Sequence, residues 1–312
     1  MLRDPLRLFL VLAFGISWGI FFALKAILGD IGPLSFILIG ALFMLGPAIA
    51  ALITRNIVGG ISWADIGITW KGIVWKWVVI AVAMGLALAP LTLGFNWLFS
   101  DVLHVHEFGT TSVTKDMIMS NIGDRLTESG KLNAEQIDSN LGRLRALPFT
   151  GPMALVLMLL VGVLAGCSVN MVFTLGEEIG WRGMLLHVTR PWGFAKHVFF
   201  TGIIWGLWHA PMIVAGLNYP DHPFIGIPLM CVFTTLMAVP MAWVRVRSAC
   251  IWAPAAMHGT VNATAGAVVF FTRDANVFFG SPVGLSGMCS LALISAFLLF
   301  ADRTFIRDFR AL

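Results

Sequence analysis

The stretch GEEIGWRG, Gly176 to Gly183, closes an unbroken apolar run from Met153 to Leu175 that is long enough to cross a bilayer. Two adjacent glutamates and an arginine are costly in that position, because ionisable groups within a span are rare and are paired or functional when they occur. Whether the run is a span decides the fold, and composition answers first. The chain has 312 residues, 58% hydrophobic and 12% charged, with a mean hydropathy of +0.89. Soluble domains carry about 25% charged residues, so burial in water is not the folding logic. An all-α, polytopic membrane helix bundle is expected. No polar linker divides the apolar runs, so residues 1–312 read as one integral membrane domain in a lipid bilayer.

Eight segments are long enough to span: Leu8–Leu28, Leu34–Ile53, Ile73–Phe99, Met153–Leu175, Val198–Leu217, Phe224–Val244, Ile251–Phe271 and Val283–Ala301. Pro47, Pro90, Pro211, Pro240 and Pro254 lie inside them or near their ends, where membrane helices tolerate kinks. With the N-terminus in the cytoplasm, the inner segments carry thirteen Lys and Arg, including Arg3, Lys71, Arg182 and Arg245, against six in the outer segments, with Lys25 near the outer end of the first span. Five of those six fall in one loop, residues 100–150, which also holds seven acids. Positive residues are retained inside, which predicts an N-in, C-in chain and an extracytoplasmic loop. That loop contains an amphipathic helix, NAEQIDSNLGRLRAL, starting near Asn133 or Lys131. Cys167, Cys231, Cys250 and Cys289 show no CxxC spacing and read as unpaired residues of apolar runs. Neither charge nor motif calls for a nucleic-acid partner.

Polar residues within spans fall into three clusters. Glu178 and Arg182 stand at i,i+4 and can pair on one helix face. Glu177 projects about 100° away, without a local cation. His209 sits in WGLWHAP with Trp205 one turn before it. His258 and Asn262 share one face of HGTVN. Taken singly, each histidine reads as a structural residue or helix–helix glue. Taken together, they are the inventory of a hydrolytic site. A desolvated glutamate acts as general base to water, a histidine holds that water, and a His/Asn pair donates to an oxyanion. Two histidines and a glutamate, Glu177, His209 and His258, are also a donor set that could hold zinc, so metal-free and zinc-bound sites both stay open.

EEIGWR (177–182), WGLWH (205–209) and HGTVN (258–262) resemble, in order, the EExxxR, aromatic-xxx-His and His-xxx-Asn motifs of the CPBP intramembrane proteases. That family is also called ABI and includes the type II CAAX prenyl endopeptidases. ADIGITW (64–70) agrees more loosely. The resemblance implies that residues 153–271 are the catalytic core. Glu177 would be the base, His209 the water ligand, and His258 with Asn262 the oxyanion donors, with Glu178, Arg182 and Trp205 supporting. Trp205 departs from the usual phenylalanine of the second motif. The substrate implied is a membrane-associated protein or peptide, C-terminally lipidated in the named subfamily, and the membrane a bacterial cytoplasmic one. Because Glu177 lies near the inner end of its span, a cavity opening to the cytoplasm is expected. The competing readings are a non-proteolytic binding, immunity or scaffold protein using the same cavity, and a proton-coupled carrier.

Overall fold

The computed structural model describes residues 4–29, 32–70 and 73–311; Arg3 and Lys71 lie outside them. Among the described residues the chain is built from helices, with a single antiparallel pair of two-residue strands, β1 (Thr110–Thr111) and β2 (Thr272–Arg273). In order the helices are α1 (Pro5–Leu28), α2 (Pro33–Met44), α3 (Gly46–Val58), α4 (Trp75–Trp97), α5 (Lys115–Glu128), α6 (Ala134–Ala146), α7 (Gly151–Gly166) and α8 (Val169–Glu178). A π segment, Ile179–Leu185, leads into α9 (Leu186–Thr189). The second half holds α10 (Phe194–Trp208), α11 (Ala210–Val214), α12 (Pro223–Ser248), α13 (Trp252–Thr264), α14 (Gly266–Phe271), α15 (Val277–Gly280), α16 (Leu285–Ala301) and α17 (Phe305–Ala311).

Among the described residues, five helical stretches are long and apolar enough to cross a membrane unbroken: Pro5–Leu28, Pro33–Val58, Trp75–Val102, Pro223–Ser248 and Val277–Ala301. This makes the chain a polytopic helical membrane protein. The other three expected segments are interrupted, at Cys167–Ser168, at His209 and at Ala265. These are the three segments that carry the polar clusters. The interruption at His209 has a local cause. Pro211 has no N–H to bond the Leu207 carbonyl one turn back, and the chain tightens there, so the His209 N–H bonds Gly206 O at 3.1 Å. The Trp205 carbonyl is thereby released from its helical partner. Pro47 acts similarly at the junction of α2 and α3: it cannot bond the Phe43 carbonyl, which accepts instead from the Ser17 hydroxyl at 3.0 Å.

The turns gather at two opposite ends. At one end Ile251 N bonds Gly67 O at 2.9 Å, Trp252 Nε1 bonds Thr69 O at 2.7 Å, and Arg247 grips Asp302. At the other, β1 pairs with β2, Asn276 N bonds Glu107 O and Tyr219 Oη bonds Val283 O at 2.8 Å. The amphipathic helix forms as α6, capped by Asn133 with a reciprocal bond from Gln136, and it meets α7 at 97°. All four cysteines are unpaired; Cys231 and Cys250 are buried, whereas Cys167 is exposed.

Candidate active site

Gly176, Gly180 and Gly183 in the opening stretch put one bare face on the helix. A Cβ at Gly176 would lie 2.6 Å from Met44 O, one at Gly180 2.4 Å from Pro47 Cβ, and one at Gly183 2.8 Å from Ile66 O. The α2–α3 hairpin and the segment after it therefore press directly on the backbone, and the ionisable side chains turn into the bundle. Gly166 and Gly259 allow a second close crossing, where an added Cβ on Gly259 would lie 2.2 Å from Gly166 O. That contact, with the Thr174 hydroxyl on Ala255 O at 2.9 Å, fixes α13 beside α8 and delivers His258 to the glutamates. The glycine spacing was in the sequence as a sign of this packing, though it says nothing of which partner it meets.

Glu177, Glu178 and Arg182 are buried, at 2%, 0% and 1% exposure. Glu178 Oε1 takes Arg182 Nη1 at 3.1 Å and His258 Nδ1 at 2.9 Å. Two charges removed from water are tolerable when paired and hydrogen-bonded like this. Glu177 is served differently. Its Oε2 accepts the Trp205 indole N–H at 2.7 Å, and it faces a cavity of about 500 Å³. The same indole ring lies 4.2 Å from the Arg182 guanidinium carbon, a cation–π contact. His209 Nδ1 bonds the Trp205 carbonyl at 2.8 Å. A carbonyl only accepts, so Nδ1 carries the proton and Nε2 keeps its lone pair.

The cavity is lined by Glu177, Trp205, His209, His258 and Asn262 together, so the three clusters separated in sequence converge. Glu178 and Arg182 stand behind this lining. Asn262 is exposed at its edge. The zinc arrangement does not form: among the described residues no three His, Cys, Asp or Glu side chains are grouped to hold a metal ion. Glu177, His209 and His258 line the same cavity, and each has a donor or acceptor already committed.

Among the described residues, the cavity lining does not extend past Glu177 toward the expected opening. Helical structure continues past it to Thr189, and Trp181, Met184 and Leu185 are fully buried. Beneath them lies the segment Ser62–Trp70, whose Ile66 is fully buried. Arg245, 3% exposed, donates from Nε to Arg182 O at 3.2 Å and from Nη2 to Asp65 O at 3.5 Å. Gly67, at φ +76°, has its backbone against that guanidinium. This floor was not anticipated from sequence beyond the loose ADIGITW resemblance, because nothing local links residue 67 to residue 245. At the opposite end the cavity is bordered by Phe36, Leu217, Asn218 and Val283.

Fold and site together define an integral membrane protein of packed helices that buries a carboxylate–arginine–histidine cluster at the base of an apolar cavity. Comparison gives a partial likeness: residues 150–264 match the family described as Type II CAAX prenyl endopeptidase Rce1-like. That segment carries all three motifs, and over it the chain is similar to the CPBP, or CAAX protease, family. No curated protein gave a match.

Proposed function

We propose that the protein is an intramembrane endopeptidase that hydrolyses a peptide bond of a membrane-associated protein or peptide. The observation that carries this is the division of labour between the paired glutamates. Glu178 takes both Arg182 and His258, which leaves Glu177 with one indole N–H and an open face on the cavity. A carboxylate held this way is free to take a proton. In the proposed step a water gives its proton to Glu177 and its oxygen adds to the substrate carbonyl carbon. The lone pair on His209 Nε2 accepts the second water hydrogen and orients the oxygen. His258, with Glu178 on its Nδ1, and the Asn262 amide donate to the oxyanion. Donation from both His258 nitrogens requires the imidazolium form, for which Glu178 is the counter-charge. Collapse breaks the C–N bond, and the proton on Glu177 passes to the leaving amine.

The eight-crossing, N-in, C-in plan belongs to this proposal, with residues 100–150 extracytoplasmic, residues 153–271 as the catalytic core and a bacterial cytoplasmic membrane as the location. It is supported by the way alternate turns gather at opposite ends of the bundle. The match at 150–264 supports peptidase chemistry over the binding and carrier readings. The test compares protein termini in membranes containing the wild type or Glu177→Gln at equal abundance. Termini that appear only with the wild type support the proposal; identical profiles from two folded proteins reject it.

A further inference from the structure

We propose that Asn170 is a second anchor of the candidate active site, and that its side-chain amide binds the backbone of an extended peptide about three residues from the bond presented to Glu177. This rests on the peptidase reading for what happens at Glu177, and adds how the peptide is held there.

Helix α8 restarts at Val169 after the interruption at Cys167–Ser168, and Asn170, Phe173, Thr174 and Glu177 all line the cavity. That i, i+3, i+4, i+7 spacing is one face of a helix, so the polar ends of the stripe, Asn170 and Glu177, border the same space. The lining holds five amides and hydroxyls. Thr174 bonds Ala255 O at 2.9 Å and Thr234 bonds Met230 O at 2.6 Å. Asn262 is assigned to the oxyanion, and Asn218 is exposed on its loop. Asn170 is half-buried and, among the described residues, has no hydrogen-bond partner. The lining residues beside it on α8, Val169 and Phe173, are apolar. An amide in such surroundings gains from a partner that the protein itself does not supply.

The chemistry of that partner follows from the amide. Asparagine offers an acceptor and donors in one plane and carries no charge, which suits the C=O and N–H groups of a peptide backbone better than an ion. The spacing follows from helix geometry. Seven residues separate Asn170 from Glu177, a rise of about 10 Å, and both side chains tilt the same way along the axis. An extended peptide advances about 3.3 Å per residue. A strand lying along α8 with its scissile carbonyl at Glu177 therefore brings the third residue from that bond to Asn170. Its side chains then meet Phe36, Phe43, Met230 and Phe233 of the lining. Asn170 reads backbone, and the apolar wall accepts side chains of varied sequence.

The experiment follows cleavage of an internally quenched peptide of leucine and alanine by the wild type and by Asn170→Leu, with a set of peptides in which one backbone amide at a time is replaced by an ester. Leucine keeps a branched side chain and removes both hydrogen-bonding groups. Asn170→Leu should raise KM about three- to tenfold, the worth of one net hydrogen bond, and leave kcat within about twofold. An ester about three residues from the cleaved bond should cause a similar loss in the wild type and none in Asn170→Leu. A merely structural role for Asn170 would not produce that coupling. Losses that add at every ester position overturn the proposal. If the wild type cleaves none of the peptides, their binding to Glu177→Gln, with and without Asn170→Leu, is read by fluorescence polarisation and completes the same cycle. Coupling at one ester position then supports the Asn170 assignment and counts against the peptidase reading alone, whereas no coupling overturns the assignment.

Discussion

Trp205 donates its indole N–H to Oε2 of Glu177 at 2.7 Å, with the same ring 4.2 Å from the Arg182 guanidinium. One side chain thus touches the carboxylate assigned to the chemistry and the cation assigned to its support. Its carbonyl also holds His209. A phenylalanine, the residue usual at this motif position, would keep the stacking and lose the N–H.

Trp205→Phe therefore separates wall from donor. A charge-assisted hydrogen bond is worth about 1.5–3 kcal/mol, so kcat should fall about tenfold or more while KM stays within about twofold. Steady-state cleavage of an apolar reporter reads both. An unchanged kcat means that the N–H does not tune Glu177, and a rise in KM alone assigns Trp205 to substrate fit.

The two glutamates should fail in opposite ways. Glu177→Gln keeps the fold and loses the general base, a deficit of about 10²–10⁴ in rate. Glu178→Gln strips Arg182 of its carboxylate in a buried site, where removing one partner costs about 3–5 kcal/mol. Thermal unfolding in detergent should show the second variant strongly destabilised and the first nearly unchanged. Equal melting of both would contradict the division of roles.

Gly180 and Gly142 make a matched pair. A Cβ at Gly180 meets Pro47 at 2.4 Å, whereas one at Gly142, on exposed α6, meets nothing within 4 Å. Gly180→Ala should cost about 1–3 kcal/mol by overpacking and lower activity by moving α3 off the glutamate helix. Gly142→Ala should be neutral or stabilise by about 0.5–1 kcal/mol through helix propensity. Denaturation midpoints decide, and a tolerant Gly180 would argue against the close crossing.

Asp302 ties the C-terminal region to α12 outside the spans. It accepts from Arg247 Nε and Nη2 at 2.6 Å each and from Trp243 Nε1 at 2.9 Å, and these bonds, the Arg247 pair foremost, hold its carboxyl down at about 2. A depressed carboxyl contributes stability that is fully present above its unfolded value near 4 and is lost as pH falls toward 2. Docking of α17, whose Phe305 and Phe309 are fully buried, should weaken over that window in the wild type. Asp302→Asn should be less stable at neutral pH and show a flatter acid response. Proteolysis near residue 304 across the pH range reads this; parallel pH profiles for the two proteins would contradict it.

Much of the fold was legible because membrane burial writes itself into composition. Long apolar runs and the three polar clusters were visible residue by residue, and the Glu178–Arg182 pair followed from i,i+4 geometry. The span count was less direct. The segments with GEEIGWRG, WGLWHAP and HGTVN are broken at Ser168, His209 and Ala265, since Pro211 and close helix crossings reshape them. Hydropathy averages over such breaks and cannot see them. The zinc alternative rested on residue types alone, and among the described residues no three His, Cys, Asp or Glu side chains are grouped to hold a metal ion.

By itself, then, the sequence determined a multi-span helical membrane protein and the residues that lie at its polar centre, because charge in a span is too costly to be incidental. The tertiary structure decided which glutamate is paired and which faces the cavity, and which end of the bundle is closed. Those outcomes depend on contacts between distant positions: Trp205 with Glu177, His258 with Glu178, and Arg245 with the Arg182 carbonyl. No local periodicity encodes such contacts, since each joins residues far apart in sequence that meet only when separate helices pack together.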